Sequence, residues 1–295
     1  MSAEYICPVL TAFKEDGSVD MEAMKALFDH LIHGGMDGIA IMGSSGEFYS
    51  MTLKEAGEFA RASLDYLKGK IPVYIGTGRL TLEETVQLSS MALEWGAEGV
   101  MIVGPYYIGA DKEGIYAYYD QVAGQVKGNM ILYNYPDRTG YDITPDIVLR
   151  LLKKHKNIVG FKDTMPAPSH TRELIRSVKP LYPEFRIYSG FDDNFIHVLL
   201  SGGNGCIAAL SNVRPELCAQ WRDAWKKGDL KKVMAIQGII DGLMDFYKIS
   251  TPFMPAMKYA LQKMGLPISA GCRLPALPAS KEQRREVDRM LEESL

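Results

Sequence analysis

The segment Ile158–Thr164 reads IVGFKDT, an apolar, β-prone run that ends in a lysine. An ammonium among apolar neighbours is costly, and the usual escape is a lowered pKa. An amine kept neutral in this way can attack a ketone. The product is a Schiff base. Once protonated it withdraws electrons, so a C–C bond beta to it can break or form without a metal. Lys162 is therefore a candidate nucleophile. The competing reading is a buried lysine paired with a carboxylate such as Asp163. Tyr133, in the preceding apolar run NMILYNY (Asn129–Tyr135), is a candidate proton shuttle for carbinolamine dehydration and for the aldehyde oxygen. Its plain alternative is a packed aromatic with a hydrogen-bonded hydroxyl.

GSSGEF (Gly43–Phe48) has the makings of an anion-binding turn. Small residues let backbone N–H groups face a ligand, and the hydroxyls of Ser44 and Ser45 add donors. The carboxylate of a 2-oxo acid fits such a turn, whereas a capped strand–helix connection is the alternative. Arg138, in YNYPDRTG (Tyr133–Gly140), can hold a second anion bidentately or can be a solvated loop arginine. The five histidines form no HxH or HExxH set, so no metal site is expected. No GxGxxG follows the first apolar run and no P-loop occurs, so no nucleotide cofactor is expected.

These residues need elements to hold them. Eight short apolar runs recur along the chain: Tyr5–Leu10, Asp37–Met42, Ile71–Gly76, Glu98–Gly104, Asn129–Tyr135, Ile158–Thr164, Phe185–Gly190 and Gly205–Leu210. Their near-continuous hydrophobicity predicts strands buried on both faces. Helical spacing lies between them, as in Met21–Gly35, Leu82–Ala97 and Ile143–Lys156. Thr144-Pro145 reads as a cap followed by a first-turn proline. Glycines at 35, 96 and 203 mark the hand-over from helix to strand. The alternation predicts an α/β chain folded as a (β/α)8 TIM barrel over residues 1–225. A C-terminal helical segment follows over 226–295, with three helices and a Pro/Gly-rich break at GLPISAGCRLPALPAS. Barrels of this kind carry their chemistry at the C-terminal ends of the strands, where all the candidate residues fall.

The totals narrow the class. With 295 residues and 47% of them hydrophobic, a sizeable core is possible. A net charge of -3 advertises neither nucleic acid nor an anionic membrane as a partner. Four widely spaced cysteines argue against a disulfide framework. The start MSAEYICPVL lacks the pattern of a signal peptide, and no apolar stretch is long enough for a membrane span, so a soluble cytoplasmic protein is expected.

GSSGEF, PYY, YNYPDRTG, GFKDT and SGFDD, taken in order, resemble the motifs of the dihydrodipicolinate synthase / N-acetylneuraminate lyase superfamily. The resemblance covers nearly the whole chain. It implies a (β/α)8 barrel with a C-terminal helical segment, usually a homotetramer built as a dimer of dimers. It also implies class I aldolase chemistry on pyruvate with no metal or organic cofactor. By this resemblance Lys162 is the Schiff-base lysine and Tyr133 the shuttle tyrosine. Ser45 stands where a hydroxyl relays protons to that tyrosine, and Ser44 with Ser45 forms the pyruvate-carboxylate turn. Tyr107 matches a tyrosine that a neighbouring subunit donates across the dimer interface. Ile207 is the apolar residue beside pyruvate, and Gly190 of SGFDD joins the substrate-binding set.

The loops YNYPDRT, KDT and SGFDD are more similar to the sugar-acid aldolases of that superfamily, such as 2-keto-3-deoxygluconate aldolase, than to its lysine-pathway synthases. The expected reaction is therefore reversible cleavage of a 2-keto-3-deoxy sugar acid to pyruvate and an aldehyde. Arg138 points the other way. In the synthases an arginine here holds the carboxylate of aspartate semialdehyde, so a dihydrodipicolinate synthase is the alternative. A barrel that binds pyruvate-like ligands without turning them over is a third reading, disfavoured by the intact Lys162, Tyr133 and Ser45 set.

Overall fold

The protein is described by a computed structural model covering residues 3–293. Eight parallel strands close into a barrel in sequence order. They are β1 (Glu4–Pro8), β2 (Gly38–Ile41), β3 (Val73–Gly76), β4 (Gly99–Val103), β5 (Met130–Asn134), β6 (Ile158–Asp163), β7 (Arg186–Ser189) and β8 (Gly205–Ile207). Each lies within one of the eight apolar runs or extends it by a single residue, and the (β/α)8 expectation holds. The strands are buried almost throughout, because helices cover the outside and side chains fill the inside.

The helices start and stop where local chemistry dictates. Asp20, Thr52, Thr81 and Asp111 each cap a helix by accepting a backbone N–H two or three residues into its first turn. Pro145 opens the helix Pro145–Lys154 as expected. Thr144 sits at its N-cap, but its hydroxyl makes no capping bond, so the proline's fixed φ is what starts this helix. At Gly35 and Gly96 the chain leaves its helix with φ of +82° and +97°, a conformation that a Cβ disfavours. The C-terminal segment contains the three expected helices, Leu230–Leu243, Met254–Lys263 and Lys281–Glu293, plus a four-residue turn at Phe246–Ile249. Among the described residues no helix is long and apolar enough to cross a membrane.

One irregularity matters for the site. Along β5 and β6 the pairing runs Met130 with Ile158, then Ile131 with Gly160. Val159 is thus an extra residue in β6, and every later pair moves by one position. Tyr133 consequently lies beside Lys162, and Asn134 beside Asp163. Without the extra residue, Tyr133 would face Phe161.

The C-terminal segment is fastened to the barrel by a buried charge pair. Lys258, on Met254–Lys263, donates to Glu47 of the GSSGEF turn, and both side chains are fully buried. Lys258 also donates to the Gly271 carbonyl at 2.9 Å, and the Arg273 N–H reaches the other Glu47 oxygen at 3.2 Å. Glu47 has φ 57° and ψ 34°, a left-handed conformation that costs a non-glycine residue on the order of 1 kcal/mol. Removing the cation would strand a buried carboxylate. Lys258→Met is therefore expected to lower unfolding stability by about 3–5 kcal/mol. Adding Glu47→Gln should recover part of that loss in urea titrations, because the stranded charge is gone.

Candidate active site

The barrel mouth opens into a cavity of about 150 Å³ at the C-terminal ends of the strands. Lys162, Tyr133, Ser44, Ser45, Arg138, Gly190 and Ile207 all line it. Tyr107 does not. It follows β4 and is 87% exposed, outside the cavity of its own chain.

Lys162 lies near the end of β6 and is only 4% exposed. Strand alternation turns it into the barrel and turns Asp163 outward. Asp163 instead takes hydrogen bonds from Asn134 at 3.0 Å and Thr171 at 2.6 Å and lies 2.8 Å from His170 Nδ1. The Lys162–Asp163 pair considered from the sequence is therefore not formed. Burial pulls the Lys162 amine from its ordinary 10.5 down to about 7, against the opposing field of Asp192. Its Nζ is 4.3 Å from the centroid of the Tyr133 ring. An amine with that pKa is substantially unprotonated at neutral pH, as a nucleophile toward a carbonyl must be.

The hydroxyl beside Tyr133 belongs to Ser44, at 3.2 Å, and not to Ser45 as the family resemblance implied. Ser44–Gly46 is a single 3₁₀ turn. With three residues per turn, neighbouring side chains diverge by about 120°, so only one of the two serines can face the phenol. Burial raises the Tyr133 pKa, and the Ser44 hydroxyl partly opposes the rise. The phenol therefore keeps its proton and can lend it.

Tyr133 and Tyr135 stack with centroids 6.0 Å apart, and the Arg138 guanidinium lies 5.6 Å from the Tyr135 ring. Arg138 is thus an exposed rim residue, separated from Lys162 by two aromatic rings. On the adjacent wall, after β6 and β7, the chain at Gly190 crosses Thr164 so closely that a Cβ would lie 2.0 Å from Thr164 Oγ1. Thr164 Oγ1 is buried beside Tyr133 and, like Ser44, opposes the burial-driven rise of the phenol's pKa.

Several contributors went unrecognised in the sequence. Tyr247, Ser250, Pro252 and Phe253, all from the C-terminal segment, complete the cavity wall. Asp192, the fourth residue of SGFDD, is fully buried and accepts from Tyr5 at 2.5 Å and from Tyr247 at 2.6 Å. Burial raises its pKa to about 6, against those two hydrogen bonds. SGFDD was the available signal for Asp192. In Tyr247–Phe253 the family-like TPF stretch was the only signal, and nothing local told that this distant loop lines the barrel mouth. Among the described residues no group of three His, Cys, Asp or Glu is placed to hold a metal ion.

The depressed Lys162 pKa has a thermodynamic signature. Between about pH 7 and 10.5 the unfolded chain holds a proton on Lys162 that the folded chain lacks. The amine's cost to stability is thus greatest below that window and vanishes above it. Lys162→Met is expected to be more stable than the unchanged protein at pH 7. That advantage should shrink with a limiting slope of about 1.4 kcal/mol per pH unit as pH rises. Urea unfolding of the two proteins from pH 7 to 10 measures it, and a constant difference would refute the buried-amine account.

The Dihydrodipicolinate synthetase family profile matches residues 1–294. The chain is 37% identical over 286 residues to "Probable 2-dehydro-3-deoxy-D-pentonate aldolase YjhH" of Escherichia coli K12, covering 97% of this chain and 95% of that protein. It is 36% identical to the 4-hydroxy-tetrahydrodipicolinate synthase of Kosmotoga olearia, covering 97% and 96%. The crystal structure of Escherichia coli K12 YagE in complex with pyruvate superposes with a TM-score of 0.96 at 34% identity, covering 99% and 98%. The chain belongs to the dihydrodipicolinate synthetase family and is, with its aldolase and synthase relatives, a pyruvate-dependent lyase of class I.

Proposed function

We propose that the protein reversibly cleaves a 2-keto-3-deoxy sugar acid to pyruvate and an aldehyde through an imine on Lys162. The observation that carries this is the buried amine of lowered pKa, 4.3 Å from a buried tyrosine ring, in a cavity of about 150 Å³. Lys162 Nζ adds to the C2 ketone. The carbinolamine loses water with proton transfer through Tyr133, leaving a protonated imine. Tyr133 then takes the C4 hydroxyl proton, the C3–C4 electron pair moves into the C2–C3 enamine, and the aldehyde departs. Protonation at C3 and hydrolysis release pyruvate and restore the amine. The Ser44–Ser45 turn is the place for the substrate carboxylate, and Ile207 packs beside the C3 carbon. Ser44 relays protons to and from Tyr133. Tyr107, exposed on its own chain, would reach the Ser44–Tyr133 pair of a second copy in a dimer of dimers.

Two features favour a sugar acid as substrate. Relatives named as 2-dehydro-3-deoxy-D-pentonate and 2-dehydro-3-deoxy-D-gluconate aldolases are 37% and 35% identical to the chain. Thr164 adds a further hydroxyl group to the cavity lining, which suits a neutral polyol. Arg138 at the rim favours the second reading, a dihydrodipicolinate synthase that condenses pyruvate with aspartate semialdehyde. The relative from Kosmotoga olearia carries that name.

Pyruvate consumption with D-glyceraldehyde against aspartate semialdehyde separates the two, and the first is expected to win. A clear preference for the semialdehyde would replace the aldolase reading with the synthase one. Lys162→Ala should abolish both turnover and borohydride trapping of pyruvate, while retaining the folded barrel. Tyr133→Phe should lower kcat by about 10²- to 10⁴-fold, the usual worth of a positioned proton donor.

A further inference from the structure

Directly behind the Lys162–Tyr133 pair, on the outer face of β5 and β6, lies a polar cluster with no part in the chemistry above. Its centre is the side chain of Asn134. The amide nitrogen donates to Asp163 at 3.0 Å and to Asp142 at 2.8 Å, and its oxygen accepts the Ile143 N–H at 3.0 Å. His170, near the start of the helix Pro168–Val178, sits between the same two carboxylates. Its Nδ1 is 2.8 Å from Asp163 and its Nε2 is 3.1 Å from Asp142. Thr171 donates to Asp163 at 2.6 Å.

The geometry closes a loop. Residues 135–142 leave β5 at Asn134 and return to the Asn134 side chain at Asp142 and Ile143. That loop carries Tyr135 and Arg138, both of which line the cavity. At its far end the side chains of Asn134 and His170 reach Asp142, and both also grip Asp163, the residue after Lys162. Burial disfavours the imidazolium, yet the nearby carboxylates of Asp142 and Asp163 outweigh that and lift the His170 pKa to about 10. A cation hydrogen-bonded to one carboxylate and 3.1 Å from a second is drawn to both.

We infer that His170, through Asp142 and Asp163, is a positioning residue that fixes the Arg138 loop against β6 and so sets selection of the non-pyruvate part of the substrate. The inference rests on the Lys162 reading for its kinetic consequence but not for its structural one. Lys162 is held in β6 by the barrel, so loosening the loop leaves imine formation intact. Contacts to the remote part of the substrate suffer instead.

The experiment compares the full-length protein with His170→Gln and Asp142→Asn. In His170→Gln, amide hydrogen exchange over residues 135–142 should accelerate while β6 stays protected. Borohydride trapping of pyruvate should proceed as before, and KM for the cleaved keto acid should rise roughly tenfold, in keeping with the sensitivity of positioned contacts. Asp142→Asn should do the same, and the double variant should add little, because both break one link. Unchanged exchange in the loop would overturn the bracket. Accelerated exchange with unchanged KM would overturn its role in selection. Equal losses in kcat and trapping at constant KM would also overturn it, by moving the effect to Lys162. If the unchanged protein traps no pyruvate, the Lys162 reading fails, and the exchange measurement still judges the bracket.

Discussion

An amine kept uncharged at neutral pH requires a place that excludes water and keeps carboxylates at a distance. Much of this active site follows from meeting that requirement at Lys162. The residue points into the barrel, where strands covered on both faces leave it 4% exposed. Its sequence neighbour Asp163, the carboxylate best placed to re-ionise it, is turned outward and occupied by three partners. Asp192, also buried near the site, has its charge taken up by two phenols. Burial outweighs the remaining field of Asp192, and the amine falls to about 7.

The stability cost of that arrangement is carried elsewhere. A large closed barrel supplies the apolar core, and the C-terminal segment seals its mouth. Glu47 and Lys258 join the two. The GSSGEF turn after β2 contributes a carboxylate in a left-handed backbone conformation, and a helix more than two hundred residues later contributes the ammonium. Neither charge is tolerable in its position without the other. The turn that carries Ser44 and Ser45 is thereby tied to the segment that also supplies Tyr247 and Phe253 to the cavity wall.

Two layers of side chains divide the work at β5 and β6. Tyr133 and Lys162 face the cavity, and Asn134 and Asp163 face the helices. The inner pair suits proton transfer and nucleophilic attack. The outer pair anchors the loop bearing Arg138. Alternation along a strand makes this possible, because adjacent residues can serve opposite faces without interfering.

The barrel was legible in the order of the amino acids alone. Eight buried strands are unmistakable as apolar runs, and the helices between them announce themselves by spacing and caps, because both signals are local. That order also pointed to Lys162, since a lysine in such a run has few structural uses. What it could not decide was which side chains meet. The extra residue in β6 brings Tyr133 opposite Lys162, and no local pattern marks Val159 as that residue. The 3₁₀ turn selects Ser44 over Ser45 as the neighbour of Tyr133. The cavity wall from Tyr247 to Phe253 and the Glu47–Lys258 pair join distant segments. Register, turn geometry and long-range closure are properties of the folded chain, and they made the difference between a set of candidate residues and a site.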